Sequence, residues 1–263
     1  MDLKEFFANK LIKKGPHPRT LGRVKSKDMS HIDKWSIRPL LGTVAPVPMA
    51  IGINWYSNFD KPKLDSKGRY WIGVDSSFRP TRNLGQIRGG HCVAVKCSSY
   101  SDLLTWWDFY DQGNEGACVG FGSSRMMSML NRERYDARWL WDWAKKVDEW
   151  PDTNPGDDNG TSVHAASDIL RTRGHVKFSQ NYTNYAQRDA QAPVLSKGIS
   201  AVRWATTVEE MESVLQSPLH NTLQATPILN SWGRYYPHLT WIPWSVMQRL
   251  IDEEGEVMIP TDR

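Results

Sequence analysis

A cysteine in a glycine-rich segment is the first residue of the sequence whose setting suggests chemistry. Cys118 lies in DQGNEGACVGFG and opens a stretch whose apolar residues recur at helical spacing. A helix N-terminus favours negative charge, so this position predicts a lowered pKa for the thiol. Gly116, Ala117 and Gly120 are small and would leave room for a substrate backbone. A buried, inert cysteine is the alternative interpretation of the same residues.

A glutamine six residues before the cysteine favours the nucleophile. The turn-forming QGNEG segment can carry the side-chain amide of Gln112 towards Cys118. Its N–H and the backbone N–H of Cys118 could then form an oxyanion hole for an acyl group. The spacing therefore favours acyl transfer over a passive core residue.

A thiol nucleophile also needs a base and a group that orients the base. Asn230 in NSWG follows a predicted strand, where its amide can accept an imidazole N–H, and Trp232 can cover the pair. Of the seven histidines, His91 fits best, because GGH opens an apolar strand and the glycines leave room for the ring. Surface or packing roles are the more common ones for the remaining six: His17, His31, His164, His175, His220 and His238.

Together these segments resemble a known family. QGNEGACVGFG, GGHCVAVK and NSWG are similar to the active-site segments of papain-like cysteine peptidases, in particular a short-propeptide or propeptide-less branch met in phages and actinobacteria. The resemblance covers most of residues 37–263. It implies a thiol protease with Cys118 as nucleophile, His91 as general base and then acid, Asn230 as orienter and Gln112 as oxyanion donor.

The resemblance also implies an α+β fold of two lobes with the active site in the cleft between them. The α-rich lobe would carry the Cys118 helix, and the β-rich lobe would carry His91 and Asn230. We predict a basic N-terminal arm at residues 1–38 and a catalytic domain at 39–263. Within that domain the expected parts are an α-rich lobe at 106–180 and β-rich segments at 46–100 and 200–263.

The order of the site residues departs from the family. Its chain runs nucleophile, histidine, asparagine, whereas here the His91 segment precedes Cys118, as though relocated. Glu115 and Val119 stand where secreted members carry a disulfide cysteine and an aromatic residue. Catalytic constellations are defined by geometry and recur with different chain orders, so a working triad and an inactive relative both stay open.

Periodicity predicts the elements that must position these residues. Strands are predicted in PVPMAIGINWY (46–56), YWIGV (70–74) and GGHCVAVK (89–96). Apolar residues at helical spacing predict helices after Cys118, over Trp139–Val147, after Thr161, and in TVEEMESVLQ and SVMQRLIDEEG.

Composition limits the class of protein. A chain of 263 residues with 40% hydrophobic content can bury a large core in one domain or two packed lobes. No apolar run suits a membrane span or a secretory signal, so we expect a cytoplasmic protein, with virion association as the alternative. Three cysteines, Cys92, Cys97 and Cys118, are an odd number and predict free thiols.

The charge distribution and the sequence motifs limit the kinds of partner and ligand that we expect. Residues 1–40 carry ten Lys and Arg against four acids, a net charge of +6, which leaves −2 of the total of +4 for the remainder. Such an arm suits an acidic or assembly partner, with nucleic acid less favoured. No metal-ligand spacing or phosphate-binding motif is found, so we expect no cofactor and no metal. The resemblance implies a peptide or protein as substrate. The alternatives are a catalytically inactive papain-like structural or interaction protein of a larger assembly, such as a phage, and a cell-wall peptide hydrolase.

Overall fold

A computed structural model describes residues 46–96, 110–150, 158–179, 182, 184–215 and 218–262. The expected basic arm and Cys97 lie outside these ranges. The strands are β1 Met49–Tyr56, β2 Lys63–Leu64, β3 Tyr70–Trp71, β4 Ile87–Val95, β5 Ala201–Ala205, β6 Ala225–Leu229, β7 Leu239–Pro243 and β8 Glu256–Asp262. The α-helices are α1 Cys118–Asn131, α2 Ala137–Ala144, α3 Val163–Thr172, α4 Tyr185–Asp189, α5 Val208–Leu215, α6 Pro218–Leu223 and α7 Trp244–Asp252. The fold is therefore mixed α+β, as the sequence predicts.

The described strands form one sheet in the order β2-β3-β7-β6-β4-β1-β8-β5. Neighbours are antiparallel except β3 and β7, which are parallel. At its centre β4 pairs with β1, placing His91 opposite Ile53. On its other side β4 pairs with β6, placing Ala94 opposite Leu229. The strand that carries His91 and the strand that leads into Asn230 are thus neighbours, although 139 residues separate the two side chains in sequence.

Alternation along β1 divides the core between the two faces of the sheet. Ile53 and Trp55 belong to a cluster on one face that includes residues of α5 and α7. Ala50 belongs to a second cluster built largely from α1, α2 and α3. A Cβ on Gly52 would lie 2.9 Å from Val163 of α3, so the helices approach this face closely. Burial on both faces explains why β1 is apolar along most of its length.

Glycines in and before α1 allow close packing against neighbouring backbone. A Cβ on Gly122 would lie 2.6 Å from the cysteine sulfur on β4, and one on Gly120 would clash with the carbonyl oxygen of Ala137 on α2. A Cβ on Gly116 would lie 2.8 Å from the carbonyl oxygen of Asp158. The expectation that Gly116 and Gly120 leave room for a substrate is therefore wrong, because both face the protein's own chain.

The predicted strands in PVPMAIGINWY and GGHCVAVK are confirmed as β1 and β4. YWIGV forms only the two-residue β3, because Gly73 turns the chain with a φ of 69°. The helix expected over Trp139–Val147 ends at Ala144. The two-lobe arrangement and the domain boundaries remain predictions. Among the described residues, no helix has both the length and the apolar composition needed to cross a membrane.

Candidate active site

A cavity of about 110 Å³ lies where the first turn of α1 meets β1 and β4. Cys118 and His91 both line it, so the structure brings the predicted nucleophile and base to one opening. Gln112 and Asn230 are absent from its described lining. The wall of the cavity also includes Asn54, Val119, Trp150, Val163, Glu253, Glu254 and Glu256.

The His91 ring is held between aromatic side chains and the Asn230 amide. Its centroid lies 4.9 Å from that of Trp55 and 4.8 Å from that of Trp232. His91 Nε2 is 2.9 Å from Asn230 Oδ1, and that oxygen also accepts the backbone N–H of Ser231 at 2.7 Å. Because an amide oxygen only accepts, Nε2 must carry the hydrogen of this bond. In the neutral ring this leaves Nδ1 as the basic nitrogen.

Asn230 is held at the end of β6 beneath an aromatic cover. β6 ends at Leu229, and the next residue is 2% exposed, directly beside His91. Trp232 is 6% exposed and makes edge contacts with Trp55 at 5.0 Å. These rings exclude water from the bond between the imidazole and the amide. The sequence hypothesis that Trp232 covers this pair agrees with the observed geometry.

A short backbone pairing joins Gln112 to the NSWG segment. Its backbone N–H donates to the carbonyl oxygen of Ser231 at 2.9 Å, and Asp111 forms an isolated bridge with Trp232. The side chain is 5% exposed, and Nε2 donates to the carbonyl oxygen of Glu115 at 3.0 Å. An amide nitrogen carries two hydrogens, so one N–H of Gln112 makes no hydrogen bond to a described residue.

Cys118 is the first residue of α1 and is half-buried. No hydrogen bond joins its sulfur to the His91 ring within the described part of the chain, although both side chains line the cavity. The separation of about 4 Å expected for a resting nucleophile and base therefore stays a prediction.

Burial sets the protonation states of this pair. It raises the pKa of the Cys118 thiol, while hydrogen bonds from backbone groups of Cys92 and Val119 lower it to a smaller extent. Burial also lowers the pKa of His91 to about 4, against the opposing hydrogen bond to Asn230. The expected lowering of the Cys118 pKa is wrong, because desolvation outweighs the helix terminus. At neutral pH the structure favours a thiol beside a neutral imidazole.

The other described histidines have packing or surface positions. His175 is fully buried and stacks on Tyr135 with centroids 4.6 Å apart. His164 is exposed and places Nδ1 2.9 Å from Glu256 Oε1. Among the described residues, no group of three His, Cys, Asp or Glu side chains could hold a metal ion.

Four residues of the site are not among those that the sequence predicts. Trp55 makes an edge contact with the His91 ring. Because it lies in an apolar strand, the sequence predicts only a core residue at this position. Asn54 lines the cavity, and the signal for it was available, because it is the only strongly polar side chain in the strand MAIGINWY. Glu254 and Glu256 join the wall through the turn between α7 and β8, which sequence proximity alone does not reveal.

Comparisons with known proteins leave the family open. No protein-family model matches the sequence, and no curated protein matches it. Among solved structures the chain is similar to the crystal structure of xylellain, a cysteine protease from Xylella fastidiosa. The identity is 12%, the match covers 80% of this chain and 97% of that chain, and the TM-score is 0.44.

Proposed function

We propose that the protein is a cysteine peptidase that hydrolyses peptide bonds through an acyl intermediate on Cys118. The observation that carries this proposal is the bond between His91 Nε2 and Asn230 Oδ1 at 2.9 Å, with the same histidine lining a cavity with Cys118. That bond leaves Nδ1 free to take a proton. A papain-like arrangement of two lobes with a relocated histidine segment is the architecture that we propose for it.

Acylation begins with a proton transfer. His91 Nδ1 takes the proton of the Cys118 thiol as the sulfur attacks the carbonyl carbon of the peptide. The carbonyl oxygen becomes an oxyanion, and the new imidazolium is stabilised by Asn230 Oδ1 through the Nε2 hydrogen. His91 then donates its proton to the leaving nitrogen as the C–N bond breaks. The products of this half-reaction are a thioester on Cys118 and a free amine.

Deacylation uses the same base. Water loses a proton to His91 Nδ1 as its oxygen attacks the thioester carbon, and the second oxyanion forms in the same position. Collapse breaks the C–S bond, the sulfur recovers its proton from His91, and a carboxylic acid leaves. With its pKa lowered to about 4, His91 is neutral near pH 7, so Nδ1 is unprotonated at the start of both steps.

The oxyanion donors are the Gln112 amide and the backbone N–H of Cys118. The amide is oriented by its bond to the Glu115 carbonyl and by the backbone bond to Ser231. Both bonds exist without substrate, so the donor needs no reorganisation when charge develops on the substrate oxygen.

We therefore expect Gln112→Ala to lower kcat about a hundredfold or more, by removing one preorganised donor. The measurement is turnover of unstructured peptides by the full-length chain at pH 6–8. Gln191→Ala is the matched control. The Gln191 amide donates to Asp136 Oδ2 at 2.7 Å, and Gln191 is not in the described lining of the cavity. If Gln112→Ala lowers the melting temperature but keeps the kcat of the folded protein, Gln112 is a structural residue and the oxyanion assignment is wrong.

The peptide pool also tests the proposed function itself. Wild-type hydrolysis that is lost in Cys118→Ala supports the peptidase. If wild type and Cys118→Ala are equally inactive on every peptide and equally stable, the chain is an inactive relative that keeps the fold. Cleavage restricted to peptidoglycan stem peptides would instead favour a cell-wall peptide hydrolase.

A further inference from the structure

The cavity beside Cys118 presents an acceptor that nothing in the described structure satisfies. Asn54, on β1, is 8% exposed and lines the cavity. Its Nδ2 is 3.5 Å from Glu253 Oε2, which orients the amide, and its Oδ1 has no hydrogen-bond partner among the described residues. A buried polar atom without a partner is destabilising, so a ligand in the cavity that donates a hydrogen bond to this oxygen would be favoured.

The same wall carries three glutamates that differ in their hydrogen bonds and ion pairs. Glu253 is paired with Arg249 at 2.8 Å and accepts the Tyr56 hydroxyl at 2.7 Å. Glu256 accepts the backbone N–H of Val163 at 2.9 Å and faces His164. These bonds occupy both carboxylates with partners from the protein itself.

Glu254 differs from its two acidic neighbours. It is exposed, lies in the turn between α7 and β8, and makes no hydrogen bond or ion pair with any described residue. The described lining of the cavity contains no lysine or arginine that could neutralise it. The wall therefore combines an uncompensated carboxylate with an unsatisfied amide oxygen.

We propose that this cavity binds a cationic group of the substrate, with Glu254 as the ionic partner and Asn54 Oδ1 as a hydrogen-bond acceptor. This inference rests on the proposed peptidase function and names the substrate class for the same site. Lysine and arginine side chains suit the cavity, because they have an apolar stem and a charged end. Val119, Trp150 and Val163 supply apolar wall for the stem. A free amino terminus of a peptide offers the same ammonium chemistry.

The test uses acetylated hexapeptide amides that contain alanine at every position except one. The variable residue is lysine, norleucine or glutamate, placed at each position in turn. We expect kcat/KM for lysine at one position to exceed that for norleucine about tenfold, the effect of a charged hydrogen bond and an ion pair together. Glu254→Gln should reduce this ratio to about threefold or less. Asp252→Asn, an exposed acid in the same region but outside the described lining, should keep it.

Two further measurements distinguish the possible outcomes. The norleucine peptides are compared with and without the acetyl group, so that a preference for the free amine assigns the site to an amino terminus. The affinity of each peptide for Cys118→Ala is also measured by calorimetry, which tests the cavity without requiring hydrolysis. Equal affinities for lysine, norleucine and unacetylated peptides would overturn the cation site. Tighter binding of a cationic peptide without any wild-type hydrolysis would keep the cation site and reject the peptidase.

Discussion

Replacing Cys118 with alanine is expected to abolish peptide hydrolysis while leaving the protein folded. The sulfur is the atom that forms the acyl intermediate, so its removal eliminates the reaction path and turnover should fall by about 10⁴ or more. The side chain is half-buried at the first turn of α1, and losing one sulfur there should cost about 1 kcal/mol or less of unfolding free energy. Turnover of the peptide pool and thermal unfolding measure the two effects.

Cys92→Ala is the control for this result. Cys92 is fully buried on β4, where its sulfur faces Gly122 of α1, and burial raises its pKa well above the ordinary value. Its thiol has no catalytic role in the mechanism, so the variant should keep turnover within a few-fold and lose some stability. Equal loss of turnover in both variants would show that a cysteine between α1 and β4 matters for packing rather than chemistry.

Replacing His91 with alanine is expected to lower turnover by about 10²–10⁴, because the reaction then lacks its base and its acid. Asn230→Ala should have a smaller effect than Cys118→Ala, because a misoriented imidazole retains basicity. Removal of the buried His91 ring also leaves a void between Trp55 and Trp232, so unfolding free energies must be measured with the rates. His175→Ala is the matched control, since it removes another buried histidine that is outside the described lining.

The pH profile distinguishes a base from a structural histidine. Burial lowers the pKa of His91 to about 4, so the ring is neutral above that pH and loses its function as base only as the pH falls through about 4. Wild-type kcat should therefore stay nearly constant from pH 7 to 5 and fall below that. In Asn230→Ala the fall in kcat should occur at lower pH, because the lost hydrogen bond raises the pKa of His91 in the wild type. Circular dichroism at each pH separates this loss from acid unfolding. A wild-type profile that falls near pH 6.5 would contradict a buried, neutral base.

Local patterns predicted the elements that carry the site, because each depends on neighbours in sequence. The helix beginning at Cys118 and the strand beginning near His91 follow from periodicity and from glycine positions. The adjacency of His91 and Asn230 does not, since it depends on β4 pairing with β6 across a long sequence separation. The resemblance implies only that the two side chains meet, and the pairing of β4 with β6 is what brings them together.

The wrong expectations share a cause, which is that burial is a tertiary property. A helix N-terminus can be placed from sequence, but the desolvation that raises the Cys118 pKa comes from elements packed around it. The sequence predicts that the small residues near Cys118 give a substrate access, yet Gly120 is needed where α1 crosses the backbone of α2. The partners of Asn54 and Glu254 could likewise be judged only after β1 and the turn before β8 had been brought to one cavity.

The most direct test of a thioester on Cys118 is the intact mass of the protein quenched in acid during turnover of an N-acylated amino acid para-nitrophenyl ester. This leaving group makes acylation fast, so the acyl intermediate accumulates before water removes it. We predict a mass increase of one acyl group, mapped to Cys118 by peptide analysis and absent from Cys118→Ala and from protein unfolded in urea. A wild-type protein that gains no acyl group, or gains it equally at other residues, would contradict the account.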